Sequence, residues 1–262
     1  MHLSLAAEPI FYLIGFPITN SIINTWLALI FFFGVGLTLK IKGIKKIPSG
    51  LQNFLEFVLE AILKYVDSVT HDRKKSEKFL PIVASLFLFI LILNWMGQLP
   101  GTGSVGWWEH KEGIKILVPF LRPGTSDLNT TLALAIFAVI STHIFGIISI
   151  GFLKHFNKYL HFGGLFKAIK TLNPLKIFTA IINFFIGIIE LFSEVAKTVS
   201  LSLRLFGNVF AGEVLLTVMA SLVAYVIPLP FMFLELLVGL VQATIFAMLT
   251  LVFMQVATVE AH

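Results

Sequence analysis

Residues Ile177 to Ile227 read IFTAIINFFIGIIELFSEVAKTVSLSLRLFGNVFAGEVLLTVMASLVAYVI, and Pro228-Leu229-Pro230 follow. A hydrocarbon core of ~30 Å is crossed by about 20 apolar residues in helical form. The run of 51 residues is therefore far longer than one upright span. It either breaks in two or lies strongly tilted along the membrane. A last apolar run, Phe231 to Val259, lies beyond the prolines. Together the two runs read as a long, tilted helical hairpin over 177–262 that turns at Pro228 to Pro230.

Toward the N-terminus, Ile22 to Leu39 is a first span, ended by Lys40, Lys42, Lys45 and Lys46. Within Ile47 to Val69, Leu51, Phe54, Leu55, Val58, Leu59 and Ile62 recur at helical spacing beside Glu56, Glu60 and Lys64. That pattern predicts an amphipathic helix at the membrane surface. Arg73, Lys74, Lys75 and Lys78 precede a second span, Phe79 to Leu99, which ends at Pro100-Gly101. A mixed-charge loop follows. Ser126, Asp127 and Asn129 offer caps for a third span from Thr130 to Leu153. Lys154, Lys158, Lys167, Lys170 and Lys176 fill the next loop. The expected fold is an all-α polytopic membrane protein of five to six helices. It is one membrane-embedded domain, divided into 1–46, the amphipathic 47–78, the spans in 79–153, and the hairpin.

Composition agrees. The chain has 262 residues, 57% hydrophobic and 13% charged, with a mean hydropathy of +0.94. Soluble domains are about 45–50% apolar and about 25% charged, so a soluble enzyme, a disordered tail and a nucleic-acid module are excluded. The net charge of +5 comes from residues flanking apolar runs, where they set topology and meet anionic lipid. The rich loops belong in the cytoplasm. The N-terminus and the Pro-Leu-Pro turn then face outward, and the C-terminus faces the cytoplasm. Met1 to Asn20 has no lysine or arginine ahead of its apolar stretch, so it does not read as a signal peptide. With no cysteine, no disulfide or thiolate metal site is available.

Glu190, Glu194, Lys197, Arg204, Asn208 and Glu213 stand in a context of leucine, isoleucine, valine and phenylalanine. A charge near the bilayer centre costs ~2.5–3.5 kcal/mol and marks an ion path by default. Spacing puts Glu190, Glu194, Lys197, Arg204 and Asn208 on roughly one helical face. Glu213 falls on the opposite face from Arg204. Glu235 and Gln242, seven apart, share a face of the last helix. Pairing about Pro228 to Pro230 sets Gln242 opposite residue 216, about 18 Å along the helix from Arg204.

Ser200-Leu201-Ser202-Leu203-Arg204-Leu205-Phe206-Gly207-Asn208-Val209-Phe210-Ala211-Gly212-Glu213 closely resembles the signature of subunit a of the F-type ATP synthase. Asn94-Trp95-Met96-Gly97, Pro123 to Asn129 with Thr131, and Gln242-Ala243 agree with it, as does a short polar end at Glu260. The likeness runs from about residue 50 to the end.

The resemblance implies a stator with two offset half-channels that lead ions to and from the carboxylates of a rotating c ring. It implies that Arg204 faces the ring and prevents a short circuit, with Asn208 and Gln242 as polar neighbours. Glu213 matches the acidic position of the outer half-channel and Glu190 that of the inner one. Members often pair a glutamate with a histidine at the positions matching Glu213 and Glu235. Glutamate at both implies a two-carboxylate channel. Asp127 fits an acidic position at the outer mouth, or is a helix cap alone. Implied partners are the c ring, subunit b of the peripheral stalk, the rest of the synthase and membrane lipid, with no nucleic acid. The chain would bind no nucleotide, no cofactor and no metal, as a subunit of the ion-transporting two-sector ATPase. The ion is H⁺ or Na⁺. A bacterial plasma (inner) membrane is the expected location, an organelle-encoded chain the alternative.

Three motifs carry no chemistry in this setting. Gly101-Thr102-Gly103-Ser104-Val105-Gly106 fits a dinucleotide pattern but lacks the βαβ unit it needs. Asn129-Thr130-Thr131 is a glycosylation sequon where a helix enters the bilayer. His143 lies alone in an apolar helix, with no second ligand at metal spacing, and reads as a hydrogen-bonded packing residue. The rival function is a stand-alone secondary transporter or channel, with Arg204 binding an anionic substrate. No fixed-period repeat and no inverted pair of broken spans favours it.

Overall fold

The structure, a computed structural model, describes residues 7–98, 105–111, 114–160, 174–222 and 228–259. The Pro100-Gly101 break, most of the 101–106 glycine pattern, Lys167, Lys170 and the polar end at Glu260 lie outside the described residues.

Helix α1 (Asn20–Lys42) starts at Thr19, whose hydroxyl accepts the Ile22 amide, and stops at Gly43 with φ of 70°. Lys40 and Lys42 in its last turn complement the helix dipole. The amphipathic helix α2 (Leu51–Thr70) ends at His71 in the left-handed conformation. Helix α3 (Arg73–Gly97) is capped by Asp72. Its helix therefore includes the basic cluster that the sequence reading placed ahead of it. A 3₁₀ turn, Gly124–Ser126, leads into α4 (Leu128–Ile150), whose N-cap is Asp127. Gly151, at φ of 88°, ends α4 three residues before the expected limit, and α5 (Phe152–Leu160) follows.

The long apolar run is one helix. Helix α6 (Pro174–Leu222) has 49 residues, which at ~1.5 Å per residue is about 74 Å. It cannot stand upright in a ~30 Å hydrocarbon layer. Helix α7 (Pro228–Thr258) begins at the first proline. Pro228 and Pro230 thus lie in its first turn, where a missing N–H costs nothing, and the chain reverses ahead of them. Opposed positions are then symmetric about residue 225 rather than 229. Five helices, α1, α3, α4, α6 and α7, are long and apolar enough to cross a membrane.

Two short β-hairpins accompany this all-α architecture, and the sequence reading did not foresee them. One pairs Pro9–Leu13 with Phe16–Thr19 (β1, β2), and the other pairs Gly106–Lys111 with Ile114–Pro119 (β3, β4). Gly106 approaches Val118 so closely that a Cβ would strike its carbonyl. Both hairpins adjoin the end of the molecule where α1, α4 and α7 begin. This is the strand end. The opposite end, carrying α2 and the first turns of α3, is the basic end.

Two apolar clusters hold the bundle. Leu86, Ile90, Ala135, Ala138, Leu201, Leu205, Ala243 and Phe246 join α3, α4, α6 and α7. The alanines let these helices approach closely, the usual device where lipid removes the hydrophobic drive. Nearer the basic end, Val66, Phe79, Val83, Ala247, Leu251 and Met254 bind α2 to α3 and α7.

Candidate functional site

Arg204 lies on the outside of α6. Its Nη2 is 3.5 Å from the Ser200 hydroxyl, one turn back. No ion pair to Arg204 occurs among the described residues. Around it the surface is apolar, with Leu203 and Val199 about half exposed. One turn on, Asn208 Nδ2 donates to Gln242 Oε1 at 2.7 Å, and Gln242 is buried. The reversal ahead of Pro228 makes this contact possible. The 216–242 pairing expected from a turn at the prolines is thereby corrected.

Glu213 points into the bundle. Arg122 Nε reaches both its oxygens, at 2.9 and 3.0 Å, and the Arg122 guanidinium lies 5.9 Å from the Phe210 ring centroid. With side-chain exposures of 5% for Arg122 and 20% for Glu213, this is an ion pair of the interior. Sequence reasoning missed Arg122. The available signal was a lone arginine wedged between an apolar strand and Pro123-Gly124. Glu235 is buried and abuts Gly212, where any Cβ would strike its carboxyl group. The glycine is what admits a carboxylate beside the α6 backbone.

Asp127 does two things. Its Oδ1 accepts the Asn129 amide at 2.9 Å, capping α4, and its Oδ2 accepts the Ser21 hydroxyl at 2.9 Å, tying α1 to α4. Nearby, Thr125 donates to Asn94 Oδ1 at 2.6 Å, and Asn94 Nδ2 donates to the Gly239 carbonyl at 3.1 Å. Trp95 Nε1 donates to the Leu236 carbonyl at 3.1 Å. These bonds seat α7 against α3 at the level of Glu235. A buried amide without a partner would cost about 1–3 kcal/mol, so the network also fixes register.

Glu190 is half-buried and about 21 Å along α6 from Arg204. It touches none of the other sequence-predicted residues. Glu194 is better placed. Its Oε1 accepts from Lys197 Nζ at 2.6 Å, and its Oε2 lies 3.7 Å from His143 Nε2. His143, read from the sequence as a hydrogen-bonded packing residue, has its Nδ1 3.2 Å from His155 Nε2. His155 comes from α5, which lies mostly in the stretch that the sequence reading treated as a basic loop. Among the described residues no group of three histidines or carboxylates is arranged to hold a metal ion.

A family model described as ATP synthase A chain matches residues 22–255. The chain belongs to that ATP synthase family. The matched stretch contains all seven residues singled out from the sequence, together with Arg122, His143, His155 and Glu194. Curated relatives agree. A protein named ATP synthase subunit a from Geobacter sulfurreducens is 34% identical over 244 residues, covering 93% of this chain and 89% of its own length. One of the same name from Moorella thermoacetica is 33% identical and covers 93% of both chains. A third, from Syntrophobacter fumaroxidans, is 35% identical over 91% of this chain and 84% of its own. Membership in the ATP synthase A chain family leaves the stand-alone transporter without support.

Proposed function

We propose that this chain is the membrane stator of an F-type ATP synthase, carrying ions to and from the carboxylates of a rotating c ring. One observation carries the reading: a permanently charged side chain sits on an unpartnered apolar face, while every acidic side chain of the strand-end cluster is turned inward. A guanidinium facing hydrocarbon costs ~2.5–3.5 kcal/mol. Its natural relief is a carboxylate on another chain passing that face. Arginine remains protonated under all working conditions, so it attracts such a carboxylate without handing on a proton.

A ring carboxylate in lipid is neutral because burial disfavours its charge, and a nearby cation reverses that preference. It therefore releases its ion near Arg204 and reloads past it. Glu213, Glu235 and Asp127, at the strand end, supply the outer path with Asn208 and Gln242 at its inner limit. Glu190 and its neighbours supply the path at the basic end. If the two paths open to opposite sides, an ion crosses only by riding the ring. A membrane potential then biases rotation by ~2.3 kcal/mol per charge per 100 mV.

The lysines and arginines of the basic end support a cytoplasmic position for it, with the N-terminus outside, and a bacterial plasma membrane is the membrane this reading takes. Subunit b of the peripheral stalk is the stationary partner, and the rest of the synthase completes the assembly. The chain itself binds no nucleotide and performs no covalent chemistry.

Arg204→Lys is the direct test, because lysine can lose its proton in a desolvated site and arginine cannot. In membrane vesicles holding the assembled complex, the variant should assemble and show no coupled, ATP-driven pumping. Wild-type pumping would refute the reading.

A further inference from the structure

Lys40, Lys42, Lys45 and Lys46 crowd the end of α1 and the strap that joins it to α2. No acidic residue occurs between Glu8 and Glu56, and none of the four lysines forms an ion pair among the described residues. Elsewhere at this end the chain supplies its own anions: Lys64 lies 3.1 Å from Glu60, and Arg73 reaches Asp67 at 2.6 Å and Glu77 at 3.1 Å. The helix dipole accounts for Lys40 and Lys42, in the last turn of α1. Lys45 and Lys46 lie beyond the helix and owe nothing to it.

The same strap is apolar. Ile41, Ile44 and Ile47, every third residue between the lysines, are 75%, 83% and 84% exposed. Gly43 and Gly50 bound the strap at φ of 70° and 58°, and a Cβ on either would meet nothing within 4 Å. It nevertheless has a defined shape. Gln52, in the first turn of α2, accepts the Lys45 amide at 3.1 Å and donates to the Lys45 carbonyl at 2.9 Å, as a neighbouring strand would. Its Nε2 also donates to Glu56 at 2.7 Å, which turns the nearest acid toward Gln52. The first half of α2 continues the apolar surface with exposed Leu51, Phe54 and Phe57, whereas Ile62, Val66 and Val69 of its second half pack on the bundle.

We propose that residues 40–47 and the first turns of α2 form a selective binding surface for anionic phospholipid. The lysines hold headgroup phosphates while Ile44, Ile47, Leu51 and Phe54 enter the acyl boundary. Water alone does not suit three exposed isoleucines, and hydrocarbon alone does not suit four unpaired lysines. The headgroup layer suits both, and α1 delivers the strap to that layer because it is a membrane span ending there. A general attraction of basic loops to lipid would act equally on the Arg73 cluster. The absence of internal anions and the clamp by Gln52 are what single out the strap. This surface takes no part in the ion path and stands or falls independently of it.

The chain has no cysteine, so Ser49→Cys places a fluorophore on the strap in a synthase whose other subunits are cysteine-free. The complex is reconstituted in phosphatidylcholine vesicles, and quenching by nitroxide-labelled phosphatidylglycerol is compared with quenching by nitroxide-labelled phosphatidylcholine. The anionic lipid should quench at lower mole fraction, and added potassium chloride should weaken its advantage. Replacing Lys45 and Lys46 by glutamine should lower the preference about fivefold for each lysine removed, equivalent to ~1 kcal/mol, while Lys40 and Lys42 remain to hold the topology. Arginine at both positions should retain it, and Lys64→Gln, in the pair with Glu60, should leave it unchanged. Equal quenching by the two lipids, a preference insensitive to salt, or one that survives the glutamine pair would overturn the proposal. So would the absence of quenching by either lipid, which would mean that a neighbouring subunit covers the strap. Arg204→Lys should bind lipid as the wild type does, so a failure here leaves the stator reading untouched.

Discussion

The two ends of the bundle are polar in different ways. At the strand end, charged and amide side chains are sunk in the interior and locked by partners from distant parts of the chain: Arg122 to Glu213, Ser21 to Asp127, and Thr125 through Asn94 to Gly239. At the basic end, two pairs are equally tight at 2.6 Å: Glu194 with Lys197, one turn apart on a single helix, and Arg73 with Asp67, the more exposed of the two. In a bilayer every buried polar group must find its partner within the protein. The strand end satisfies that demand with fixed clamps, so its carboxylates are held at defined depths. At the basic end, the Arg73–Asp67 pair is the more exposed and the more easily exchanged. Arg204 lies between the two ends on the outside of α6, touching neither.

The contrast is broken most directly through its two ion pairs. Arg122→Ala leaves Glu213 in the interior without its cation, and removing one partner of a buried pair costs ~3–5 kcal/mol. Thermal unfolding of the detergent-purified complex should show a large drop, recovered in part by adding Glu213→Gln. The same measurement on Lys197→Ala should show a smaller drop, because the pair spans one turn of a single helix and Lys197 keeps 28% of its side chain exposed. An equal loss in the two variants would erase the distinction.

The glycines that make room sharpen it next. Gly212 admits the Glu235 carboxyl, and Gly146 admits the His155 ring. Gly212→Ala and Gly146→Ala should each destabilise by ~1–3 kcal/mol through overpacking. Gly146→Ala should be the milder, since α5 is short and can shift, whereas Glu235 is held on a helix of 31 residues. Pumping assays and thermal shifts on both variants rank them.

The element most legible in the sequence was the apolar run itself. Spans, the amphipathic helix and the inward-facing Glu213 follow from hydropathy and from 100° per residue. Where the reading slipped, a backbone detail outweighed composition. Placing the turn at Pro228 to Pro230 treated proline as a breaker, although in a helix's first turn it is compatible. The pairing of Asn208 with Gln242 was lost by that choice. Arg122 stood in a loop with no periodicity to place it. The hydrogen-bonding partner of His143 could not be named, because His155 follows a glycine break at Gly151 that hydropathy does not register. The β-hairpins are short strands in a chain so apolar that alternation carries little contrast. A contact made across helices with no shared period is invisible to a pattern along one of them.

Asp127 decides whether the strand-end clamp and the ion path are one thing. Asp127→Ala removes an N-cap and the Ser21 bond and should cost about 1–2 kcal/mol. Asp127→Asn keeps an oxygen for the cap and should fold nearly as the wild type. If Asp127→Asn also pumps at the wild-type rate, the residue is a cap. A slowed rate at unchanged stability makes its charge part of the path.

The smallest effect is expected at the far surface, where α2 meets α3. Asp67 lies 2.6 Å from Arg73 Nη1. The Ser76 hydroxyl, opposed by desolvation and aided by the Arg73 guanidinium, holds the Asp67 carboxyl below its usual range. A lowered folded-state pKa means that the unfolded chain binds the proton more readily. The stabilisation is therefore complete above the unfolded value, about pH 4, and fades as pH falls through the lower folded value. Asp67→Asn should fall only slightly below the wild type in thermal midpoint at pH 7, because water screens an exposed pair, and the gap should narrow as pH is lowered past about 4. Arg122→Ala, by contrast, should keep its large deficit at pH 7, since Arg122 is only 5% exposed and its pair is weakly screened. A surface effect as large as the interior one would mean that burial is not what separates the two ends.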